Sequence, residues 1–398
     1  MSKKVILVWF RNDLRTCDNE VLNSAIEKAD FVIPVYIFDP RYYQENQYGF
    51  QKTGVHRHGF MLHAVAALKH KLQSLGGDLL TYEGYPEEIL PQLVQKYDAD
   101  EVYHHREVAK RETDISELVE ESLWKVKRNL KHFIGHTLYH KEDLPFPIKD
   151  IPNDFNTFKK KASKESFVRP YLPDIKAVVI PPHLEKNDLP ESVDVEVALA
   201  QHSEDAAIQL LTQLTQSTDI TTLSFAEVSP FLTFGILSPA FTYHFLLNSI
   251  TPKNKKSIHF LVDHLIWRDY FRFMLKKYPN SYFISRNTAT NDAPENLKNW
   301  TAANTEFEPV NKLMRKLNAT GYLSFKEQEL LAMYLVYELK YNWVAGAAWF
   351  EQQLIDYAPA STYGFWAHIG NEGTSSKNNK TLEDWEKIKE QILKQEIV

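Results

Sequence analysis

Short apolar runs alternate with amphipathic stretches over the first 130 residues. The apolar runs are continuous and rich in β-branched and aromatic residues, which predicts buried strands. They occupy 4–9, 31–38, 78–83 and 101–104. The stretches between them carry apolar positions at helical spacing and occupy 18–29, 56–75 and 86–97. Strands that alternate with helices in this way predict a parallel, doubly wound (Rossmann-like) sheet.

This periodicity fades between about 144 and 196, where eight of the 19 prolines lie. Prolines at that density suppress regular structure, so the segment is interpreted as a long connection with one short helix at 155–161. Beyond about 199 the pattern is helical, and 377–398 reads as a solvated terminal helix. The predicted fold class is α/β plus all-α. Its parts are an α/β domain over 1–130, a linker over 131–198 and a helical domain over 199–398.

Bulk composition narrows the functional classes. A chain of 398 residues exceeds one ordinary core, and no apolar run approaches membrane-spanning length, so no membrane partner is expected. The single cysteine, Cys17, and the absence of signal-peptide features favour a cytoplasmic protein, and we expect a monomer. The net charge of −6 argues against indiscriminate nucleic-acid binding and leaves a local basic cleft open.

The densest cluster of candidate chemistry is the stretch 264–273, which holds two arginines, an acid and four aromatic residues. On a helix, Trp267 and Phe271 share one face, and Arg268 and Arg272 share the adjacent edge. Two interpretations stay open. Either this is an interior helix with snorkelled arginines, or it lines a cleft and offers stacking and guanidinium donors to a planar anion.

Ligands of doubly wound sheets bind beyond the carboxyl ends of the strands. Polar residues at those ends are Arg11, Asp13, Arg15, Asp39, Arg41 and 104–107. No G-x-G-x-x-G or P-loop is present, so neither a dinucleotide fingerprint nor nucleotide hydrolysis is indicated. His104 and His105 read as a strand-end pair, and no metal site is predicted.

Several motifs follow one another along nearly the whole chain. They are Trp9–Arg15 with Asp18 and Asn19, His105–Ala109, Thr157–Lys161 with Val168–Pro170, Val228–Pro239, His264–Phe273, Met314–Gly321 and Asp356–Trp366. Together they resemble the photolyase/cryptochrome family, most closely its DASH branch. The resemblance implies a U-shaped FAD in the helical domain and a folate or other antenna chromophore in the cleft between domains. It also implies light-driven repair of a flipped pyrimidine dimer in single-stranded DNA, or a blue-light response.

The resemblance assigns expected roles to particular positions. Expected FAD contacts are Ser229, His264, Arg268, Asp356 and Thr362. Expected electron-transfer residues are Trp300, Trp343 and Trp366, for which large core residues are the alternative interpretation. Expected lesion contacts are Trp267, His264, Phe325 and His368, and the expected antenna contact is Glu107.

Pocket positions depart from the family pattern. In the phosphate loop, Phe225 and Ala226 replace hydroxyl donors, and Glu227 places a negative charge near the expected phosphates. The family also has other residue types where this chain has His264, Phe325, Gln328, Ala358, Thr362 and His368. Without the usual arginine, Asp356 is an unpaired charge unless Arg268 or His264 supplies the cation.

Two functions therefore stay open, and whether the chain is an enzyme is open with them. One is an FAD-dependent photolyase or DASH cryptochrome. The other is a degenerate photolyase-like protein without lesion repair, which binds FAD weakly or not at all and acts as a ligand-binding or regulatory module.

Overall fold

The computed structural model describes residues 3–216, 222–279, 283–285, 293–374 and 380–396. Its N-terminal part is a five-stranded parallel sheet in the order β3-β2-β1-β4-β5. The strands are β1 Val5–Phe10, β2 Phe31–Phe38, β3 Leu80–Glu83, β4 Glu101–His105 and β5 Asn129–Phe133. The helices between them are α1 Glu20–Lys28, α2 Val55–Ser74, α3 Pro86–Tyr97 and α4 Lys110–Lys125. The predicted fold class is confirmed.

The central strand β1 is buried along its whole length, as its uninterrupted apolar sequence requires. The polar turn after it leads into α1, where the side chain of Asn19 accepts a hydrogen bond from the backbone N–H of Leu22 at 3.1 Å. Helix α4 and strand β5 were not predicted from the sequence pattern. In β5, Leu130 and Phe133 are buried between polar residues, a weaker signal than a continuous apolar run.

The connection after β5 contains the predicted short helix, α5, which spans Phe155–Glu165 and is capped by Asp154. Its Phe158 is fully buried. The sheet runs three residues past 130, where the first predicted boundary lies. The division into 1–130, 131–198 and 199–398 stays a prediction.

The rest of the described chain is helical. Its α-helices are α6 Val195–His202, α7 Glu204–Gln216, α8 Thr222–Thr233, α9 Pro239–Asn248, α10 Lys255–Lys277, α11 Pro294–Thr301, α12 Glu308–Thr320, α13 Phe325–Met333, α14 Trp343–Gln353, α15 Pro359–Ile369 and α16 Leu382–Glu396. A π-helical turn, Tyr334–Glu338, continues α13. None of the helices described is both long enough and apolar enough to cross a membrane.

Two contacts hold the sheet against the helices. The buried carboxylate of Asp269 on α10 accepts hydrogen bonds from the backbone N–H groups of Leu138 and Tyr139, both at 2.8 Å. Gly235, with a φ of +67°, lies so close to the turn after β1 that a Cβ there would overlap the carbonyl of Asn12. Only glycine combines a positive φ with the absence of a Cβ, so the close contact between the helical part and the turn after β1 depends on this residue.

The terminal helix α16 is more than a solvated tail. Trp385 is fully buried, and its indole N–H donates to Glu338 at 2.8 Å. Its ring also packs edge-on against Tyr334 and Phe307. The prediction of a solvated helix is wrong for this face, while 377–379, 397 and 398 lie outside the described residues.

We expect Trp385→Ala to lower the free energy of unfolding by about 3–5 kcal/mol, because it empties a buried aromatic site. Leu393→Ala, on the exposed side of α16, is the matched control and should change it by less than about 0.5 kcal/mol. Urea unfolding measures both changes in free energy. It is followed by far-UV circular dichroism, because tryptophan fluorescence would itself change in Trp385→Ala. Equal effects of the two substitutions would contradict the packing of α16.

Candidate ligand-binding site

A cavity of about 440 Å³ lies between the sheet and the helical part. We call it the cleft cavity. Its walls combine the carboxyl ends of β1, β2 and β4 with α2, α4, α10 and the start of α15. Side chains that line it include Trp9, Arg11, Phe38, Asp39, Tyr42, Tyr43, Arg57, Glu107, Arg111, Glu112, Arg268, Arg272, Glu351, Tyr357 and Tyr363. The site lies where ligands of doubly wound sheets bind.

Three arginines of this cavity have no carboxylate within 4.0 Å among the residues that the structure describes: Arg11, Arg57 and Arg268. Arg11 donates to the hydroxyl of Ser116 at 3.0 Å, and Arg268 donates to the carbonyl of Leu232 at 2.9 Å. Arg57 donates to neutral oxygens and lies over the ring of Tyr357, 4.6 Å from its centroid. Cations removed from water need a compensating anion, so these walls favour an anionic ligand.

The other two arginines of the cavity are neutralised. Arg111 pairs with Glu351 at 3.0 Å, and Arg272 pairs with Glu107 at 2.7 Å. Burial alone would raise the pKa of Glu107, but the charges around it, Arg272 included, hold that pKa well below its ordinary value. In contrast, burial and the Glu107 charge raise the pKa of Glu112 to about 7. The two carboxyl groups therefore differ in charge near neutral pH.

A histidine network lies behind this wall. His105 and Asp13 are fully buried and bond at 2.7 Å between Nδ1 and Oδ2. Next to them, Nε2 of His136 lies 3.3 Å from a carboxylate oxygen of Glu107. Burial lowers the pKa of His136 to about 3 although Glu107 acts in the opposite direction, so this imidazole is neutral at physiological pH. The described residues hold no cluster of three or more histidine, cysteine or acidic side chains placed to bind a metal ion.

A second, smaller cavity of about 100 Å³ lies inside the helical part. We call it the helical pocket. It brings together most of the predicted FAD and lesion positions, namely Ser229, His264, Trp267, Arg268, Phe325, Asp356 and Thr362. Phe225, Gln328 and Phe365 complete its walls, whereas His368 and Glu107 do not line it. Glu107 lies in the cleft cavity instead.

The cation opposite Asp356 in the helical pocket is Arg268. Burial raises the pKa of Asp356, while a hydrogen bond from Ser229 and the charge of Arg268 lower it. Removal from water lowers the pKa of Arg268 to about 10, so this side chain stays charged at neutral pH. Burial lowers the pKa of His264 to about 4, which leaves the imidazole neutral. Of the two candidate partners of Asp356, Arg268 and His264, only Arg268 is charged at neutral pH.

In the structure, the stretch 264–273 of helix α10 is partly an interior helix and partly a cleft-lining one. Its aromatic residues Tyr270 and Phe271 are buried in the core, and Trp267 is half-buried against Phe155 of α5, with ring centroids 4.4 Å apart. On the adjacent edge, Arg268 and Arg272 line the cleft cavity. The same helix is thus interior on one face and cleft-lining on the next.

Comparison with known proteins matches both parts of the chain. A family model described as DNA photolyase matches residues 6–177, and one described as the FAD binding domain of DNA photolyase matches 260–390. Cryptochrome DASH of Gloeobacter violaceus is 32% identical over 95% of this chain and 81% of its own length. The chain belongs to the photolyase/cryptochrome family. Cryptochrome DASH of Synechocystis sp. is 33% identical over 92% of this chain and 81% of its own length.

Solved structures of the photolyase/cryptochrome family share the fold. The crystal structure of a Synechocystis sp. cryptochrome superposes with a TM-score of 0.87 and 31% identity, covering 96% of this chain and 85% of that one. An archaeal photolyase from Sulfolobus tokodaii, crystallised with two FAD molecules, has a TM-score of 0.76 at 24% identity, with 95% and 85% coverage. The chain is therefore DASH-like in sequence and in fold.

The helical pocket does not fit the flavin that the family implies. Cavities of about 150 Å³ hold a single benzene ring. A pocket of about 100 Å³ is smaller than that, so the three-ring isoalloxazine does not enter it with these side chains in place. Gln328, at the position of the family's arginine, donates to the carbonyl of Leu323 at 3.1 Å. The residues present contact one another and leave about 100 Å³ between them.

The three tryptophans of the expected electron-transfer chain are all buried. Trp300 and Trp366 have ring centroids 6.2 Å apart, and Phe365, which lines the helical pocket, lies 6.3 Å from Trp366. Trp343 packs against the backbone of Gly370. Within the described part of the chain, the three indole N–H groups have no hydrogen-bond partner. Their roles in electron transfer stay a prediction.

Several residues of the cleft cavity were not singled out from the sequence. Arg57, Arg111, Glu351 and Tyr357 come from four separate segments; the first three belong to no motif, and Tyr357 lies in the motif Asp356–Trp366 but was assigned no role. Their only sequence signal is a charged or aromatic residue next to a helix terminus, which is too common to be diagnostic. Only the packing of the two parts brings them together.

The buried state of His136 predicts acid sensitivity. Its pKa is near 6.5 in an unfolded chain and about 3 in the folded protein, so below pH 6.5 protons bind mainly to the unfolded chain. Stability contributed by the neutral imidazole is therefore present above pH 6.5 and lost as the pH falls towards 3, by up to about 1.4 kcal/mol per pH unit.

We expect His136→Gln to flatten the fall in the free energy of unfolding between pH 6.5 and 4.5, measured by urea titration at each pH. His259→Gln, at an exposed position of α10, is the control and should leave the slope unchanged. A slope identical in wild type and His136→Gln would show that this imidazole is not the group responsible.

Proposed function

We propose that this protein is a DASH-like member of the photolyase/cryptochrome family that binds a planar, anionic chromophore of the flavin or folate class in the cleft cavity. The observation that carries the proposal is the set of three arginines without carboxylate partners, Arg11, Arg57 and Arg268, around one cavity. The expectation of a cytoplasmic monomer stays a prediction.

Charge and size both support this ligand class. Six cationic side chains and four carboxyl groups line the cavity, and the pKa of Glu112 near 7 removes part of the negative charge. The walls therefore carry an excess of positive charge that a phosphate or carboxylate offsets. A volume of about 440 Å³ lies within the range of pockets that enclose small organic ligands and cofactors.

Aromatic side chains support the planar part of the ligand. Tyr42, Tyr43, Tyr357 and Trp9 line the cavity, and their ring faces provide stacking surface for a conjugated ring system. Glu107, the expected antenna contact, lies in the same wall, where Arg272 and Asn12 hold its two carboxylate oxygens at 2.7 and 3.0 Å. We therefore propose that Glu107 orders this wall and that Arg57, together with Arg11 and Arg268, binds the anion.

We expect Arg57→Gln to weaken binding of the chromophore by at least about tenfold, because a hydrogen bond to a charged group contributes roughly 1.5–3 kcal/mol. Equilibrium titrations monitored by fluorescence, with FAD, flavin mononucleotide and a reduced folate in separate arms, measure the change and identify the class. Arg315→Gln, at an exposed position of α12, is the matched control. Loss of affinity in the control, or none in Arg57→Gln, would contradict the proposal.

Light-driven repair of pyrimidine dimers is the second candidate. The buried rings of Trp300 and Trp366 contact each other, and Phe365 lies between Trp366 and the helical pocket. This arrangement favours light-driven repair. Against it stands the size of the helical pocket, which Trp267, the expected lesion-stacking residue, lines.

We therefore expect no light-dependent loss of dimers when the protein, supplied with FAD, is illuminated with dimer-containing single-stranded DNA. The dimers remaining in illuminated and dark samples are counted by chromatography. Repair above the dark control would make light-driven repair the better supported function.

A further inference from the structure

We infer that Phe225 and His264 plug the flavin-type pocket of the helical part, so that this pocket excludes FAD and a flavin bound by the protein lies in the cleft cavity. The exclusion of FAD from the helical pocket is argued from the geometry of that pocket alone. The place of a bound flavin in the cleft cavity rests on the proposed function.

The plug is a stack of two rings from different helices. Phe225 on α8 and His264 on α10 are nearly parallel, with centroids 4.3 Å apart and planes inclined by 19°. Phe260, one turn before His264, meets the imidazole edge-on at 4.5 Å. The imidazole of His264 therefore contacts an aromatic ring on two sides.

A second aromatic pair closes the opposite side of the helical pocket. Phe325 at the start of α13 and Phe365 on α15 meet edge-to-face, with centroids 5.3 Å apart. Aromatic rings from four helices thus converge on the space, and about 100 Å³ remains between them. Planar rings of the protein occupy the volume that a planar cofactor would need.

The polar groups of the pocket are also engaged internally. Ser229 bonds to the carboxyl group of Asp356, whose charge is balanced by Arg268. Gln328 donates to a backbone carbonyl at 3.1 Å, and Arg268 does the same at 2.9 Å. A phosphate or isoalloxazine entering here would have to displace partners that the protein already supplies. The pocket is therefore narrow, and its polar groups already have partners within the protein.

One pair of variants separates the two cavities. Ser361 lines the helical pocket and is absent from the cleft cavity, so Ser361→Leu fills the remaining space of the helical pocket only. We expect Ser361→Leu and its control Ser361→Ala to bind FAD within about twofold of wild type, whereas Arg57→Gln loses at least about tenfold. Fluorescence titration with FAD measures all four proteins. Loss of FAD binding in Ser361→Leu alone, with wild-type circular dichroism, would overturn the inference.

A second readout does not depend on flavin binding anywhere. Phe225→Ala removes one ring of the stack and opens apolar space, which small aromatic molecules occupy when a protein cavity is dry. We expect indole to raise the Tm of Phe225→Ala and to leave that of wild type unchanged. Stabilisation of wild type to the same extent would show that the pocket is open and would overturn the plug.

The outcomes distinguish the two proposals. A wild type that binds no flavin, together with indole stabilisation of Phe225→Ala, contradicts the flavin arm of the proposed function and supports the plug. Flavin binding that depends on Arg57 and not on Ser361 supports both. If Phe225→Ala does not fold, the comparison of Ser361→Leu with Arg57→Gln by itself decides in which cavity FAD binds.

Discussion

The guanidinium of Arg268 lies between the two cavities of this protein and lines both of them. On one side it balances Asp356, and on the other its charge adds to that of Arg11 and Arg57 in the cleft cavity. A cation withdrawn from water has to be compensated, and here Asp269, Asp356 and Glu107 act on Arg268 without an ion pair among the described residues. The cleft cavity is left with unbalanced positive charge, which is the physical basis for assigning it an anionic ligand.

That arrangement depends on how tightly α10 is held. Asp269, next to Arg268, accepts two backbone N–H groups from the segment after β5, and Gly235 allows the helical part to touch the turn after β1. These contacts fix the side of α10 that carries Arg268 and Arg272 against the ends of the strands. One helix therefore joins the two parts of the chain and supplies the cations of the site between them.

The two cavities differ in how their walls are built. In the helical pocket, the hydroxyl and amide donors expected for a flavin are replaced by rings that pack on one another, as in the stack of Phe225 and His264. In the cleft, the charged and aromatic walls leave an open volume of about 440 Å³.

The sequence by itself determined the fold class, the family and most residues of the helical pocket, because strand and helix periodicities are local and the motifs are ordered along the chain. It also showed that Phe225, Phe325 and Gln328 stand where polar or charged flavin contacts are expected. It did not reveal that Phe225 stacks on His264, or that Arg57 faces Tyr357 across the cleft. Those contacts join residues about 40 and 300 positions apart, respectively, and no local pattern encodes them. Whether a cavity is open or filled depends on how separate helices pack, so it became visible only in the folded protein.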